Sequence, residues 1–189
     1  MAVGILGGVF DPPHNGHVAL ARAAIRELDL AELLVLVVAD PGHKHAATPP
    51  ETRLELARLA FEDVPQAVVE LDPHARTVDS LEERRPADVV FILGADELAG
   101  FEGWKAPERV LELVRIAVAM RPGVSRDDVL AVRERIAEPD RVLEFEMDPV
   151  PVSSSGIRAS VARGEAVEDV VPPKVAAAIS RLGLYAMPE

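Results

Sequence analysis

The chain has 189 residues, no cysteine, a formal net charge of −12 at pH 7, 49% apolar residues and only 4% aromatic ones. That length suits one domain with its own core, and the missing cysteines exclude disulfides and thiolate metal sites. The acidic balance and the lack of a bilayer-length apolar run speak against nucleic-acid and membrane partners, so any anionic ligand needs a local basic pocket.

From Met1 the chain passes straight into an apolar run without a basic, apolar leader, so a cytoplasmic protein is expected. Val3 to Leu6 is short and apolar, as a buried parallel strand requires. Gly7 and Gly8 follow as a predicted turn that lets phosphates approach the backbone. His14 and His17 fall three apart at a predicted helix start, where their rings can share a side with the first-turn amides and the positive dipole end. An anion site is therefore expected there. Neither a Walker lysine nor a G-x-G-x-x-G pattern is present to explain it.

Val18, Ala21, Ala24, Ile25 and Leu28 recur at helical spacing, and Leu33 to Ala39 is the next strand, stopped by Asp40-Pro41-Gly42. His43-Lys44-His45 is either an ordinary solvated loop or a basic group at a strand's carboxyl end. Pro49 and Pro50 open a helix with Leu54, Ala57, Ala60 and Phe61 on one face, and Ala67 to Leu71 is a third strand. Thr77 is the expected N-cap of a short helix reaching about Arg85.

Asp88 to Leu93 is a fourth strand ending in a Gly94-Ala95-Asp96 turn. Trp104, the only tryptophan, precedes a helix through Val110, Leu111 and Val114. Arg115 to Met120 is a fifth strand closed by Arg121-Pro122-Gly123, Ser125 caps a further helix, and Val142 to Glu146 is a sixth strand. Ser153-Ser154-Ser155 precedes a short helix ending near Gly164, and Pro172-Pro173 opens a last helix that stops at Gly183.

Alternating strands and helices predict an α/β fold: a Rossmann-like, doubly wound parallel sheet over residues 1–150, followed by a C-terminal helical segment over 151–189, all in one domain. In the common strand order, the first and fourth strands meet at the switch point, which brings Gly7–His17 and Gly94–Asp96 to one crevice. Asp96 there either accepts from ribose hydroxyls or caps a helix. Ser153–Ser155 with Arg158 is either a second anion site or a serine cap beside a surface arginine.

The stretch Gly7-Gly8-Val9-Phe10-Asp11-Pro12-Pro13-His14-Asn15-Gly16-His17 resembles the G-G-x-F-D-P-x-H-x-G-H signature of the nucleotidyltransferase superfamily. With Leu93–Leu98, Phe101–Trp104, Arg121–Gly123, Ser153–Arg158 and Val171–Tyr185 in order, the chain is similar from end to end to the nicotinate-nucleotide adenylyltransferase family. The resemblance implies transfer of AMP from ATP to nicotinate mononucleotide, giving deamido-NAD and pyrophosphate. Mg²⁺ would be held through the ATP phosphates and not by protein side chains.

It implies catalytic roles for His14, His17 and Arg158, with ATP held by Gly7, Gly8, Val9, Phe10, Gly94, Asp96, Arg121, Ser154 and Ser155. Residues 151–189 would complete that ATP site. The mononucleotide would be held by Lys44, Arg76, Thr77 and Trp104, with Trp104 stacked on the pyridine, though a core anchor is its other reading. No general base is needed, because the attacking phosphate is already ionised at neutral pH; alignment and charge neutralisation are the task.

Two positions depart from the family pattern. Val9 stands where Thr or Ser is usual, and Arg76 stands where Tyr is usual before Thr77. Arg76 either pairs with a nicotinate carboxylate or is solvated. Alternatives are nicotinamide mononucleotide or another phosphorylated acceptor, a nucleotide-binding regulator without turnover, and a metal site of His14, His17, His43 and His45. A homo-oligomer is compatible with all of them.

Overall fold

The computed structural model describes residues 2–42, 46–85, 88–120, 126–136 and 138–187. Six parallel strands form one sheet: β1 (Ala2–Gly8), β2 (Leu30–Val38), β3 (Ala67–Asp72), β4 (Val89–Gly94), β5 (Arg115–Met120) and β6 (Val142–Glu146). Their order is β3-β2-β1-β4-β5-β6, so the winding reverses between β1 and β4 as expected. Between and after them lie α1 (Asn15–Glu27), α2 (Pro50–Phe61), α3 (Thr77–Arg84), α4 (Ala95–Ala99), α5 (Pro107–Leu113), α6 (Arg126–Arg133), α7 (Ser154–Ala162) and α8 (Pro173–Leu182).

Side chains alternate across a strand, and here that period divides the core in two. Leu6, Val90 and Ile92 pack with α1, α2, α7 and α8 on one face. Ile5, Val89, Phe91 and Leu93 pack with α3, α4, α5 and α6 on the other. The sheet is thus covered on both sides, which accounts for its near-continuous apolar strands. No described helix is long and apolar enough to cross a membrane.

Local differences from the sequence reading cluster at strand ends. Gly7 and Gly8 belong to β1 and pair with Leu36 and Val37, so the turn begins at Val9. Arg76, not Thr77, is the N-cap of α3, and Asp96 sits inside the short helix α4 with Gly94 as its N-cap. The expected cap Ser125 lies outside the described residues.

Candidate active site

The loop leaving β1 is shaped by close approaches at two glycines. Phe10 takes φ 51° and is buried against Phe61, 5.9 Å between ring centroids. Its ring folds back over Gly8 so closely that a Cβ there would lie 2.9 Å from it. At Gly16 a Cβ would meet the His14 ring at 3.0 Å and Val152 at 3.2 Å, so only glycine leaves His14 its place.

His14 is the N-cap of α1, and the rings of His14 and His17 stack 3.7 Å apart at 22°. His17 Nδ1 accepts from the backbone N–H of His14 at 3.2 Å, so a neutral His17 carries its proton on Nε2. His14 Nδ1 is buried without a partner; a bare lone pair costs less there than an orphaned N–H, which again puts the proton on Nε2. Burial lowers His14 to about 4 and pushes His17 well below 6.5, with His14's neighbouring charge adding to the effect. Both rings are neutral donors near pH 7 in the ligand-free protein.

Beneath the loop lies a residue that the sequence reading passed over. Arg53 on α2 is completely buried, and Nε, Nη1 and Nη2 donate to the carbonyls of Thr48 (3.2 Å), Val9 (2.9 Å), Val38 (2.7 Å) and Ala39 (2.8 Å). One guanidinium thereby ties the loop after β1 to the loop after β2. Its signal was present: Arg53 falls three and four residues before Leu56 and Ala57, on the same buried stripe. The Asp11 carboxylate, also buried, accepts from Thr48 Oγ1 (2.7 Å), the Tyr185 hydroxyl (2.7 Å) and the Ala47 amide. Burial and the hydrogen bond to Asp11 push the Tyr185 hydroxyl far above its ordinary pKa.

The C-terminal segment closes over the same loop. Ser154 Oγ donates to the Pro12 carbonyl at 2.8 Å and Arg158 Nη1 to the Asp11 carbonyl at 2.7 Å. The Asn15 amide donates to Val170 O at 3.0 Å and the His17 amide to His14 O at 2.9 Å, so the first turn of α1 presents fewer open amides than expected. In compensation, the N-terminus of α7, capped by Ser153 on the Gly156 amide, comes to the same loop with Ser155 exposed. Two positive helix ends therefore meet at one place.

Across the switch point, β4 ends at Gly94, where a Cβ would meet nothing within 4 Å. Asp96 follows, exposed, in the first turn of α4. Trp104 is half-buried, its ring held against Phe101 (5.3 Å) and Phe91 (6.1 Å). Arg76 and Thr77 stand at the start of α3, beside a small pocket lined by Gly7, Phe91, Asp72 and Ser80. The structure thus brings His14, His17, Arg158 and Ser154 together at the β1 loop and ranges Asp96, Trp104, Arg76 and Thr77 along the ends of β3 and β4. Lys44 and Arg121, with His43 and His45, lie outside the described residues.

Residues 5–160 match the family model described as cytidylyltransferase-like. The chain is 35% identical to a protein of Thermomicrobium roseum, covering 97% of this chain and 91% of that one, and 36% identical to a protein of Bordetella avium, covering 97% of each. Both relatives bear the description "Probable nicotinate-nucleotide adenylyltransferase". In backbone the chain is similar to the Plasmodium falciparum nicotinic acid mononucleotide adenylyltransferase complexed with NaAD, with a TM-score of 0.77 at 17% identity over 97% of each chain.

Proposed function

The chain belongs to the nicotinate-nucleotide adenylyltransferase family, within the cytidylyltransferase-like group, and from that premise we propose that it transfers AMP from ATP to nicotinate mononucleotide in NAD biosynthesis. A phosphate oxygen of the mononucleotide attacks the α-phosphorus of ATP. The bond from that phosphorus to the bridging oxygen breaks, and pyrophosphate leaves with the electron pair as deamido-NAD forms.

One arrangement carries this reading: the stacked His14–His17 pair at the start of α1, facing the N-terminus of α7 at the sheet's switch point. In this reading Nε2–H of each imidazole donates to ATP phosphate oxygens, where charge builds as pyrophosphate departs. Arg158 and the Ser154 and Ser155 hydroxyls receive the β- and γ-phosphates, so residues 151–189 complete a site whose base is the 1–150 core. Gly7, Gly8 and Phe10 shape its floor, and Val9, whose backbone carbonyl accepts from Arg53, lines the loop without the side-chain hydroxyl usual at its position. Asp96 accepts from the adenosine ribose, Arg121 lies near ATP, Lys44 reaches a phosphate of the mononucleotide, and Trp104 stacks on the pyridine.

The family's chemistry uses a divalent cation, and Mg²⁺ is the ion we propose. Among the described residues no group of three or more His, Asp or Glu side chains could hold one. Asp11, the buried carboxylate at the loop, is occupied by Ala47, Thr48 and Tyr185. In this reading Mg²⁺ enters as part of the substrate, chelated by ATP, and would offset charge on the leaving pyrophosphate.

The test is incubation with ATP and Mg²⁺ plus either nicotinate or nicotinamide mononucleotide, following pyrophosphate release and identifying the dinucleotide. Faster dinucleotide formation from the acid, nearly abolished by His17→Ala, is the expected result. ATP binding without dinucleotide from either acceptor would overturn the proposal.

A further inference from the structure

The chain leaves α8 through Gly183, at φ 62°, with the Leu184 amide donating to the Ile179 carbonyl at 3.0 Å. Tyr185 then takes φ 64°, a left-handed conformation that is costly for a non-glycine residue. This turn sends its ring back to the β1 loop, where the hydroxyl donates to Asp11 Oδ1 at 2.7 Å. Ala186 and Met187 beyond it are exposed, so the tail's hold on the site ends with that ring.

Asp11 is 2% exposed, and the donors it takes among the described residues, the Ala47 amide, Thr48 Oγ1 and the Tyr185 hydroxyl, are all neutral. A cation stands close by without pairing with the carboxylate. Arg158 Nη1 donates instead to the main-chain carbonyl of Asp11 at 2.7 Å, and its charge acts on the Tyr185 hydroxyl. The carbonyl is the weaker acceptor of the two, since a carboxylate takes a guanidinium as a paired, charge-assisted fork. What separates them is occupancy: Oδ1 already serves both Thr48 and Tyr185. Burial pushes the phenol far above its ordinary pKa, so it stays a donor at neutral pH. Among the described residues the Arg158 guanidinium has no other hydrogen bond, and Ser154 Oγ, on the adjacent Pro12 carbonyl at 2.8 Å, stands at the same turn.

We propose that Tyr185 is a positioning residue for Arg158: by occupying Asp11 Oδ1, its hydroxyl keeps the guanidinium on the Asp11 carbonyl, with the remaining N–H donors open to the β- and γ-phosphates of ATP. This rests on the proposed placement of those phosphates at Arg158. Without the hydroxyl, an acceptor on the carboxylate falls vacant within reach of Arg158, and an internal ion pair competes with the nucleotide.

Calorimetric binding of ATP with Mg²⁺, and of AMP, without acceptor tests it in the parent, in Tyr185→Phe, in Leu184→Ala and in an Asp11→Asn, Tyr185→Phe double variant. Tyr185→Phe is expected to weaken ATP binding about tenfold and leave AMP unchanged, since AMP carries no phosphate beyond the first. Its thermal midpoint should stay within about 3 °C of the parent, because the new ion pair offsets the lost hydrogen bond. Leu184→Ala loosens the same tail by removing a side chain packed against the core, and should lower the midpoint while leaving ATP binding unchanged. The double variant lacks the charge that captures Arg158, so it should bind ATP more tightly than Tyr185→Phe alone, where a merely structural hydroxyl predicts the reverse. ATP binding unmoved by Tyr185→Phe, an equal loss for AMP, or an equal loss in Leu184→Ala overturns the assignment, and these comparisons stand even where the double variant does not fold. A folded double variant without recovery overturns it as well. Absence of dinucleotide from both acceptors overturns the proposed transfer instead, and nucleotide binding, which needs no acceptor, still judges Tyr185.

Discussion

Arg53→Met removes the guanidinium while keeping an unbranched side chain of similar reach, so most of the volume at the centre of the site is retained. What is lost is four donated hydrogen bonds, to Val9, Val38, Ala39 and Thr48, in a place where the side chain has no exposed surface. Burial does lower the arginine's pKa, but guanidinium remains charged, so its desolvation is offset mainly by those carbonyls. Each carbonyl left unpaired costs ~1 kcal/mol at the low end, giving ~4 kcal/mol in all. A domain has about 5–15 kcal/mol of stability, and for this length 1 kcal/mol moves the midpoint by about 2–4 °C. The expected loss is therefore roughly 8–16 °C in a thermal melt. The loops after β1 and β2 should also exchange amide protons faster, because the bracket between them is gone. A melt within about 3 °C of the parent would refute the account, since it would mean that these carbonyls find partners without Arg53.

Two further outcomes follow from the site. The unfolded chain, with ordinary imidazoles, binds more protons than the folded one between pH 6.5 and about 4, so stability falls as pH falls through that window. For His14 alone, a depression from 6.5 to about 4 at ~1.36 kcal/mol per pH unit is about 3 kcal/mol. His74, whose pKa is raised, acts with the opposite sign, losing its contribution as pH rises. A His14→Gln, His17→Gln double variant should lose less of its midpoint between pH 7 and 4.5 than the parent; parallel curves would contradict the shifts. Trp104→Leu should raise KM for the mononucleotide about tenfold and leave KM for ATP unchanged, as expected if the indole stacks on the pyridine. Equal effects on both substrates would make Trp104 a core anchor of Phe91 and Phe101 instead.

The sheet was legible because each strand is an apolar run bounded by glycine, proline or acid, and because two core faces need apolar residues at successive positions. Strand ends were less so. Gly7 and Gly8 look like a turn by propensity, yet their backbones pair with β2, and closeness to Phe10 and Phe91 explains the missing side chains better than a turn does. Arg76 as the N-cap of α3 went unseen because arginine is not a capping residue; only its extended φ of −131° places it there. Arg53 was hidden by the habit of placing arginine on surfaces, although its spacing on α2 marked it as inward.

Contacts at long separation were beyond any local pattern. Tyr185 and Asp11 are 174 residues apart, and Arg158 and Asp11 are 147 apart, yet both pairs meet at the β1 loop. The motif reading found Asp11 within a signature but gave it no work; its carboxylate gathers donors from residues 47, 48 and 185, joining three separate segments.

That arrangement also explains how a chain of net charge −12 can hold a polyanion. Cationic and dipolar groups are concentrated at the switch point: Arg53 lies under the loop, Arg158 beside it, and the positive ends of α1 and α7 converge on it. The buried carboxylate in the same place spends its acceptors inward, on Thr48, Tyr185 and Ala47, and so fixes the loop without presenting its lone pairs to a ligand. Burial keeps both imidazoles neutral near pH 7, which avoids the cost of two buried like charges in one place. A local field of this kind depends on how a few groups are oriented, and the summed charge of the surface has little bearing on it.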